Sequence, residues 1–315
     1  MIIEPMSTFN EDCLRVDSAR AWCKQAAVIA NPEPLWQNLW HEGEAACLFS
    51  DSNAGKSIYA VQIADHIARK GKRVIYFDFE QSAKQFQLRY STEKGDIYPF
   101  HENFLRCEID NTSIVQSVKA TDFVDNMISA ADRAGADIII IDNLTFMCAD
   151  SENGLAAHDF MVKMIEYKKA WDLSILILAH TPKRENNTPI TQNDLAGSKR
   201  LFNFFDSVFA IGRSTQGDDV RYIKQLKSRV CPITMGDSNV LTSRIVKNEG
   251  FLHFQHLHPC QEREHLKTSS GPNSRLTDEQ RQEIVAQRQE GKSIRQIASS
   301  MGLSVGVVHK VTQSC

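Results

Sequence analysis

The sequence predicts an α/β protein built on a mainly parallel sheet with antiparallel edge strands, followed by a small all-α domain. Three observations predict this fold class. Short apolar runs typical of strands buried on both faces alternate with segments typical of helices. Strand-like segments joined by polar turns come next, and two helix-capping sequences stand close together near the C-terminal end. The apolar runs are residues 45–49, 73–79, 137–141 and 174–179.

The composition of the 315-residue chain, with 42% hydrophobic and 24% charged residues, is that of a globular protein. It excludes the fibrous, collagenous and disordered classes. The net charge of −3 is unevenly distributed: residues 1–180 carry 17 basic and 26 acidic side chains, and residues 181–247 carry 11 and 6. Residues 248–260 add one Glu, and residues 261–315 carry 8 basic and 6 acidic side chains. An acidic body with basic regions after it is therefore expected.

The cysteines and the apolar segments indicate the cellular compartment. The eight cysteines include no Cys-x-x-Cys pair and lie mostly in apolar runs, which is typical of reduced thiols. The sequence has no N-terminal signal pattern, and no apolar stretch approaches the roughly 18 residues that a membrane span needs. We therefore expect a cytoplasmic protein with no membrane partner.

The first strong helix is predicted over residues 56–69, where apolar side chains at helical spacing form one face and a Lys-Gly-Lys sequence follows. Antiparallel edge strands are predicted over residues 207–212, 220–227, 242–247 and 251–255. Parallel sheets often end in such an edge. Together with the apolar runs, these strands define a large domain over residues 35–257, preceded by an N-terminal segment over residues 1–34.

A linker is predicted over residues 258–275, because periodicity is lost and His, Glu, Lys, Ser and Pro accumulate there. The small domain then occupies residues 276–315. Capping boxes begin at Thr277 and Ser293, each with Gln three residues later. A turn containing Gly302 separates the second helix from a third over about residues 304–312, which is the arrangement of a helix-turn-helix.

Residues 49–57, Phe-Ser-Asp-Ser-Asn-Ala-Gly-Lys-Ser, lie between the first apolar run and the first strong helix. Loop amides and a helix N-terminus attract a phosphate at this position. Lys56 would contact the β- and γ-phosphates, and Ser57 would bind Mg²⁺. The motif is a modified P-loop, since Ser50 stands where the pattern has its first Gly. The expected ATP-binding residues are Ser50, Asp51, Ser52, Asn53, Ala54, Gly55, Lys56, Ser57 and Ile58.

Asp142 ends the third apolar run, and a carboxylate at that strand end faces the crevice where open α/β sheets bind ligands. We expect it to hold Mg²⁺ as a Walker-B Asp does. The alternative is an ordinary Asp that terminates a strand.

Glu80 and His180 follow two other strands. Glu80 is placed to orient and deprotonate an attacking water, with Asp78 as the rival on the same strand face. His180 is placed to contact the γ-phosphate, or it is a polar residue that merely caps its strand.

The order of residues 50–57, Glu80, Asp142 and His180 resembles that of the RecA-like ATPases, in particular the AAA_25 branch that includes the hexameric plasmid helicase RepA. The resemblance covers roughly residues 35–257. It implies that the catalytic Glu follows the second core strand, which fits Glu80, and that a polar residue ends the fourth strand, which fits His180. It also implies that residues 194–200, with Lys199 and Arg200, lie near a nucleic-acid channel.

Lys227-Ser228-Arg229 resembles the Lys-x-Arg pair that RecA-like ring ATPases insert into the neighbouring subunit's site. Alternation along a strand points both cations to one side. The resemblance implies catalytic roles for Lys227 and Arg229 in trans, and hence self-association into a ring or filament. The alternative is an exposed basic strand face.

The last 40 residues resemble the helix-turn-helix of resolvase and invertase DNA-binding domains. The resemblance implies that Ser304, His309 and Lys310 face the major groove and that Lys292 and Arg295 contact phosphate. Such units also bind proteins, which stays open as an alternative. The core is expected from Ile284, Ile294, Ile297, Ala298, Met301, Leu303 and Val308.

Two functions fit these features: an ATPase acting on DNA as an oligomeric helicase or replication or mobilisation factor, and an ATP-gated DNA-binding switch without unwinding activity. A metabolic P-loop kinase fits less well, because no lid or acceptor site is evident. A zinc site is not expected, because the histidines and the cysteine between residues 253 and 265 are loosely spaced.

Overall fold

A computed structural model describes residues 16–109, 120–143, 155–182, 188–195, 199–266 and 278–313. Its centre is a nine-stranded sheet in the order β11-β10-β9-β8-β3-β7-β6-β4-β5. Six neighbouring strands, from β8 to β5, are parallel, whereas β9, β10 and β11 are antiparallel. The predicted α/β fold class with antiparallel edge strands is therefore confirmed.

The predicted apolar runs coincide with strands of this sheet. Strands β3, β6 and β7 are buried along almost their whole length, as expected for strands with two apolar faces. A separate two-stranded hairpin, β1 and β2, precedes the sheet. The strands are β1 Pro34–Trp36, β2 Trp40–His41, β3 Ala45–Ser50, β4 Val74–Asp78, β5 Phe104–Cys107, β6 Ile138–Asp142, β7 Ser174–His180, β8 Ser207–Arg213, β9 Val220–Lys227, β10 Val240–Asn248 and β11 Phe251–Cys260.

Helices cover both faces of the sheet. Helix α2 packs with side chains such as Tyr59 and Ile63 against one face, and α4, α5 and α6 pack against the other. This alternation of strand and covering helix produces the parallel order. The helices before the C-terminal unit are α1 Ala19–Ala26, α2 Lys56–Arg69, α3 Ala83–Arg89, α4 Ala120–Ala134, α5 Leu155–Trp171 and α6 Lys199–Phe204.

The predicted start of the linker, at residue 258, is wrong. Strand β11 continues to Cys260, and a 3₁₀ turn, Glu262–Glu264, follows it. The strand is longer because it pairs with β10 along its whole length, from the pair of Asn248 with Phe251 to the pair of Val240 with Cys260. Such pairing does not require apolar side chains on the exposed face of the sheet. His265 is fully buried and stacks on Tyr222 at 4.8 Å between ring centroids. The remaining predicted linker, from residue 267, lies outside the described residues.

The C-terminal unit has three helices: α7 Asp278–Gln289, α8 Ile294–Met301 and α9 Val305–Gln313. The Ser293 capping box is present, and Gly302 ends α8 with φ 63°, whereas Thr277 lies outside the described residues. Ile284, Ile297, Ala298, Val307 and Val308 are buried together, with Ile294, Met301 and Leu303 packed around them. Val307 is an addition to the predicted core.

Within the described residues, no helix is long and apolar enough to cross a membrane.

Candidate nucleotide-binding site

The loop between β3 and α2 lies at the carboxyl edge of the parallel strands. Asn53 and Gly55 take left-handed backbone conformations, with φ of 59° and 107°. A Cβ atom on Gly55 would lie 2.8 Å from the Phe254 ring and 3.1 Å from Ile245, so that position needs Gly for space as well as for φ. Ser50 is the buried last residue of β3 and pairs with His180, so the departure from Gly occurs on extended backbone.

Two arginines donate hydrogen bonds to backbone carbonyls of this loop. Arg213 donates to the Ser52 carbonyl and Arg221 Nε to the Ala54 carbonyl, both at 3.0 Å. Arg221 is buried, and this burial lowers its pKa. These two hydrogen bonds hold the loop in place, and the amides of such a loop are the groups that bind phosphate.

Lys56 is buried at the first position of α2. Its Nζ donates to the Ser50 carbonyl at 3.1 Å and to the Asp51 carbonyl at 3.4 Å, and it lies 3.1 Å from His180 Nδ1. Burial lowers the pKa of Lys56, and the carboxylates of Asp142 and Glu80 oppose that effect. The ammonium is thus held at the centre of the loop, facing the ends of β6 and β7.

Asp142 is fully buried at the end of β6. Its Oδ2 accepts a hydrogen bond from the Tyr76 hydroxyl at 2.5 Å, and its Oδ1 has no hydrogen-bond partner among the described residues. Burial raises the pKa of Asp142 to about 6, and the nearby Ser57 hydroxyl opposes the rise. A buried carboxylate oxygen without a donor fits a hard cation such as Mg²⁺, for which carboxylate and hydroxyl oxygens are suitable ligands.

Glu80 lies two residues beyond β4, with its carboxylate directed toward the same edge. Its Oε1 lies 3.3 Å from His180 Nε2 and accepts a short hydrogen bond from the side-chain amide of Asn143. The hydrogen bond with His180 is the main reason that the pKa of Glu80 is lowered, with Lys56 and Asn143 adding to the effect. Glu80 is therefore held as a carboxylate, the form that can accept a proton.

Asp78, the rival carboxylate, has a different environment. Its side chain is fully buried, pairs with Arg106 Nε at 3.0 Å and accepts from the Gln81 backbone N–H at 2.9 Å. These contacts occupy both carboxylate oxygens away from the cleft. The geometry favours Glu80 over Asp78 as the group that meets a water.

Lys56, Glu80 and His180 line a cleft of about 470 Å³. Sequence reasoning missed Arg89, which projects from the last position of α3 into the cleft wall, because no motif marks a cation nine residues after Glu80. Asn143, which follows Asp142, is buried behind Glu80 and was missed as well. The lining consists of Ser52, Asn53, Gly55, Lys56, Ser57, Ile58, Glu80, Arg89, His180 and Ile245.

Lys227 and Arg229 lie near the amino ends of the parallel strands, at the end of the sheet away from the cleft. Because β9 is antiparallel to β8, Lys227 pairs with Val208 at the amino end of β8. Lys227 Nζ donates to the Phe202 carbonyl at 3.1 Å, and Arg229 pairs with Asp206 at 2.7 Å. The six-residue β3 separates the two edges by roughly 20 Å, so neither cation belongs to the cleft of its own chain.

The candidate DNA-binding residues fall in two places. Lys199 and Arg200 are the first two residues of α6, and the structure describes their backbone only. In the C-terminal unit Lys292, Arg295, His309 and Lys310 are exposed, and Ser304 is partly exposed before α9. Lys292 pairs with Glu290 at 3.2 Å.

His265, which follows β11, contacts a thiol and a hydroxyl group. His265 Nε2 lies 3.0 Å from Cys260 Sγ, and its Nδ1 lies 2.7 Å from the Ser214 hydroxyl. Within the described part of the chain, no group of three or more His, Cys, Asp or Glu side chains could hold a metal ion.

Comparison with known proteins places this site in a family context. The family AAA_25, described as an AAA domain, matches residues 14–186. DNA repair protein RadA of Campylobacter jejuni is 23% identical over 194 residues, which are 60% of this chain and 38% of that protein. The chain therefore corresponds to less than half the length of this relative.

The crystal structure of a KaiC-like protein from the archaeon Pyrococcus horikoshii OT3 has a similar fold, with a TM-score of 0.50 and 12% identity. The similarity covers 69% of this chain and 91% of the archaeal one. At this identity the similarity concerns the fold alone.

Proposed function

Because the chain belongs to the AAA_25 family of AAA domains, we propose that it is a RecA-like ATPase that hydrolyses ATP to ADP and phosphate and acts on DNA as an oligomer. A helicase or a replication or mobilisation factor is the proposed biological type. The observation that carries the proposal is the meeting of Lys56, Asp142 and Glu80 with His180 at one edge of the sheet.

The proposed division of labour follows from position and charge. Loop amides over residues 51–55 and the ammonium of Lys56 bind the β- and γ-phosphates of ATP. Asp142 and Ser57 would hold Mg²⁺, which, when bound, neutralises negative charge on the phosphate oxygens. Glu80 orients a water and takes its proton, and the His180 imidazole contacts the γ-phosphate.

Arg89 adds a cation to this proposed site. It is partly buried in the cleft wall on α3, the helix that follows Glu80 in the chain. A guanidinium beside transferring phosphate oxygens stabilises the charge that develops on them. We assign Arg89 this role in its own subunit.

Lys227 and Arg229 are proposed to complete the site of a neighbouring subunit. Their distance from their own cleft supports a role in trans, as does the 58% exposure of the Arg229 side chain. Burial lowers the pKa of Lys227. A trans arginine can contribute about 10³–10⁵ in rate.

Action on DNA is proposed from two features. The C-terminal unit presents His309 and Lys310 on α9, preceded by a tight turn at Gly302, and we propose that it is a helix-turn-helix that reads the major groove. Lys199 and Arg200 are proposed to contact a strand near the channel of a ring. The name of the relative RadA, a DNA repair protein, also favours a DNA substrate.

The test is the rate of phosphate release from MgATP with no DNA, single-stranded DNA and double-stranded DNA, with mass measured in parallel by light scattering. An oligomer whose hydrolysis rises with DNA supports the proposal. A monomer that hydrolyses no ATP under any of these conditions contradicts it.

The second candidate is an ATP-gated DNA-binding switch, favoured by the folded three-helix unit that follows the ATPase core. Both candidates require MgATP, and only a helicase separates strands. A forked-duplex unwinding assay therefore distinguishes them: an oligomer that hydrolyses ATP and binds DNA but leaves the fork intact is a switch.

A further inference from the structure

Asn143 is a buried polar residue that contacts Glu80 and His180, two of the residues that line the cleft. It directly follows β6 and is 2% exposed. Its side-chain amide nitrogen donates to Glu80 Oε1 in a short hydrogen bond and lies 3.0 Å from His180 Nε2. Three consecutive strand ends thus meet through one carboxamide.

The sheet order explains this meeting. Strand β6 lies between β4 and β7, so the residue that follows β6 stands between the residues that follow β4 and those that end β7. Asp78 pairs with Asp142, and Ile141 pairs with Ile177, which fixes the register on both sides. The position of β6 therefore places the Asn143 side chain between Glu80 and His180.

A carboxylate that takes a proton from water must be fixed in direction as well as ionised. The Glu80 side chain is 42% exposed, and an exposed glutamate retains considerable rotamer freedom. His180 contacts one oxygen of it at 3.3 Å. The carboxamide of Asn143 donates to the same oxygen, is itself buried, and carries no charge that could alter that of the phosphate site.

We propose that Asn143 is a positioning residue for Glu80: its amide donor holds the carboxylate in the direction of the attacking water. The inference rests on the proposed ATPase function and assigns Asn143 no contact with nucleotide. Its loss should therefore slow the chemical step and leave ATP binding unchanged.

The experiment compares the wild type with Asn143→Ala and with Asn143→Leu, which is similar in size and removes the donor without adding a charge. Turnover and ATP affinity are measured separately, the latter with a non-hydrolysed analogue. We expect kcat to fall by about 10–100-fold in both variants, since a displacement near 1 Å can cost ~10² in rate, with Kd within twofold of wild type. Asn126→Ala, an exposed site on α4, is the control and should retain wild-type turnover.

A double-mutant cycle separates positioning of Glu80 from a general structural effect. In a Glu80→Gln background, Asn143→Ala should lower kcat by less than about twofold, because the group that it positions is already disabled. An equal further loss in that background, a kcat that stays at the wild-type value, or a fall in ATP affinity would each overturn the inference. If Asn143→Ala does not fold, the same criteria apply to Asn143→Leu, whose fold is checked by circular dichroism.

Failure of this inference is distinguishable from failure of the proposed function. A wild type that hydrolyses ATP and a slow Glu80→Gln variant, combined with fast Asn143 variants, overturn only the role of Asn143. A wild type that hydrolyses no ATP overturns the proposed function, and the Asn143 inference with it.

Discussion

Nζ of Lys56 lies 3.1 Å from Nδ1 of His180, two residues that are 124 positions apart in the sequence. An ammonium can only donate, so Nδ1 is the acceptor in this contact. Nε2 of the same ring faces Glu80 Oε1 at 3.3 Å. The imidazole therefore connects the phosphate-binding cation to the carboxylate proposed to activate water.

Replacement of Glu80 should separate binding from hydrolysis. Glu80→Gln keeps the shape of the side chain but cannot accept a proton, so we expect ATP affinity close to wild type and turnover reduced by about 10²–10⁴-fold. Single-turnover phosphate release, alongside analogue binding, checks this. Wild-type turnover in the variant would transfer the role of base to another group, with Asp78 the first to examine.

Replacement of Asp142 should reveal the cost of its burial. A raised carboxyl pKa means that the folded state keeps its proton longer than the unfolded state, so stability is full below about pH 4 and falls as pH rises through about 6. Asp142→Asn has no such loss. We expect the unfolding free energy of wild type to fall relative to this variant by on the order of 3 kcal/mol between pH 4 and 8, as measured by urea titration without nucleotide. A difference that does not depend on pH would contradict this account, and the variant should lose MgATP turnover in any case.

Shared sites between subunits can be tested by mixing. In a mixed oligomer, an Arg229→Ala chain supplies an intact Lys56 cleft and a Lys56→Ala chain supplies the intact Arg229. Hydrolysis by the mixture should therefore exceed that of either variant alone. Light scattering on each sample checks that assembly is retained. Activity that is no higher than the average of the two variants would argue that each site is built from one chain.

DNA binding by the C-terminal unit should depend on salt. Each phosphate contact that is removed lowers the slope of log K against log salt concentration by about 0.9. Arg295→Ala is expected to weaken duplex binding across sequences and to reduce that slope by about 1, whereas Lys94→Ala, an exposed lysine in the core domain, should change neither. Fluorescence anisotropy over a salt series measures both. An unaltered slope in Arg295→Ala would remove this residue from the interface.

Much of the fold follows from local signals in the sequence. The helix Lys56–Arg69 and the strand Val220–Lys227 begin and end as predicted, because a Gly precedes the helix, cations end it, and polar turns flank the strand. Strand β5 was missed, since its four residues are only partly buried and include Arg106. The end of β11 was missed because pairing with β10 sustains a strand whose own side chains suggest a loop.

The site was predictable where residue type and strand position act together. Lys56, Glu80, Asp142 and His180 each stand at a strand end or a helix start, and a sheet of known order brings such positions to one edge. Arg89, Arg213 and Arg221 could not be found that way. Their roles depend on where α3 packs and on which loop carbonyls β8 and β9 approach. Local sequence patterns do not predict these tertiary contacts.

The central claim is that the cleft around Lys56 binds ATP, and calorimetric titration of MgATP into wild type and Lys56→Ala tests it most directly. Lys84→Ala, an exposed lysine on α3, is the control. We predict a saturable site in wild type and in the control, and an affinity at least about tenfold lower in Lys56→Ala, because a charge-assisted hydrogen bond contributes about 1.5–3 kcal/mol. Equal affinity in all three proteins, or no binding by wild type, would contradict the account.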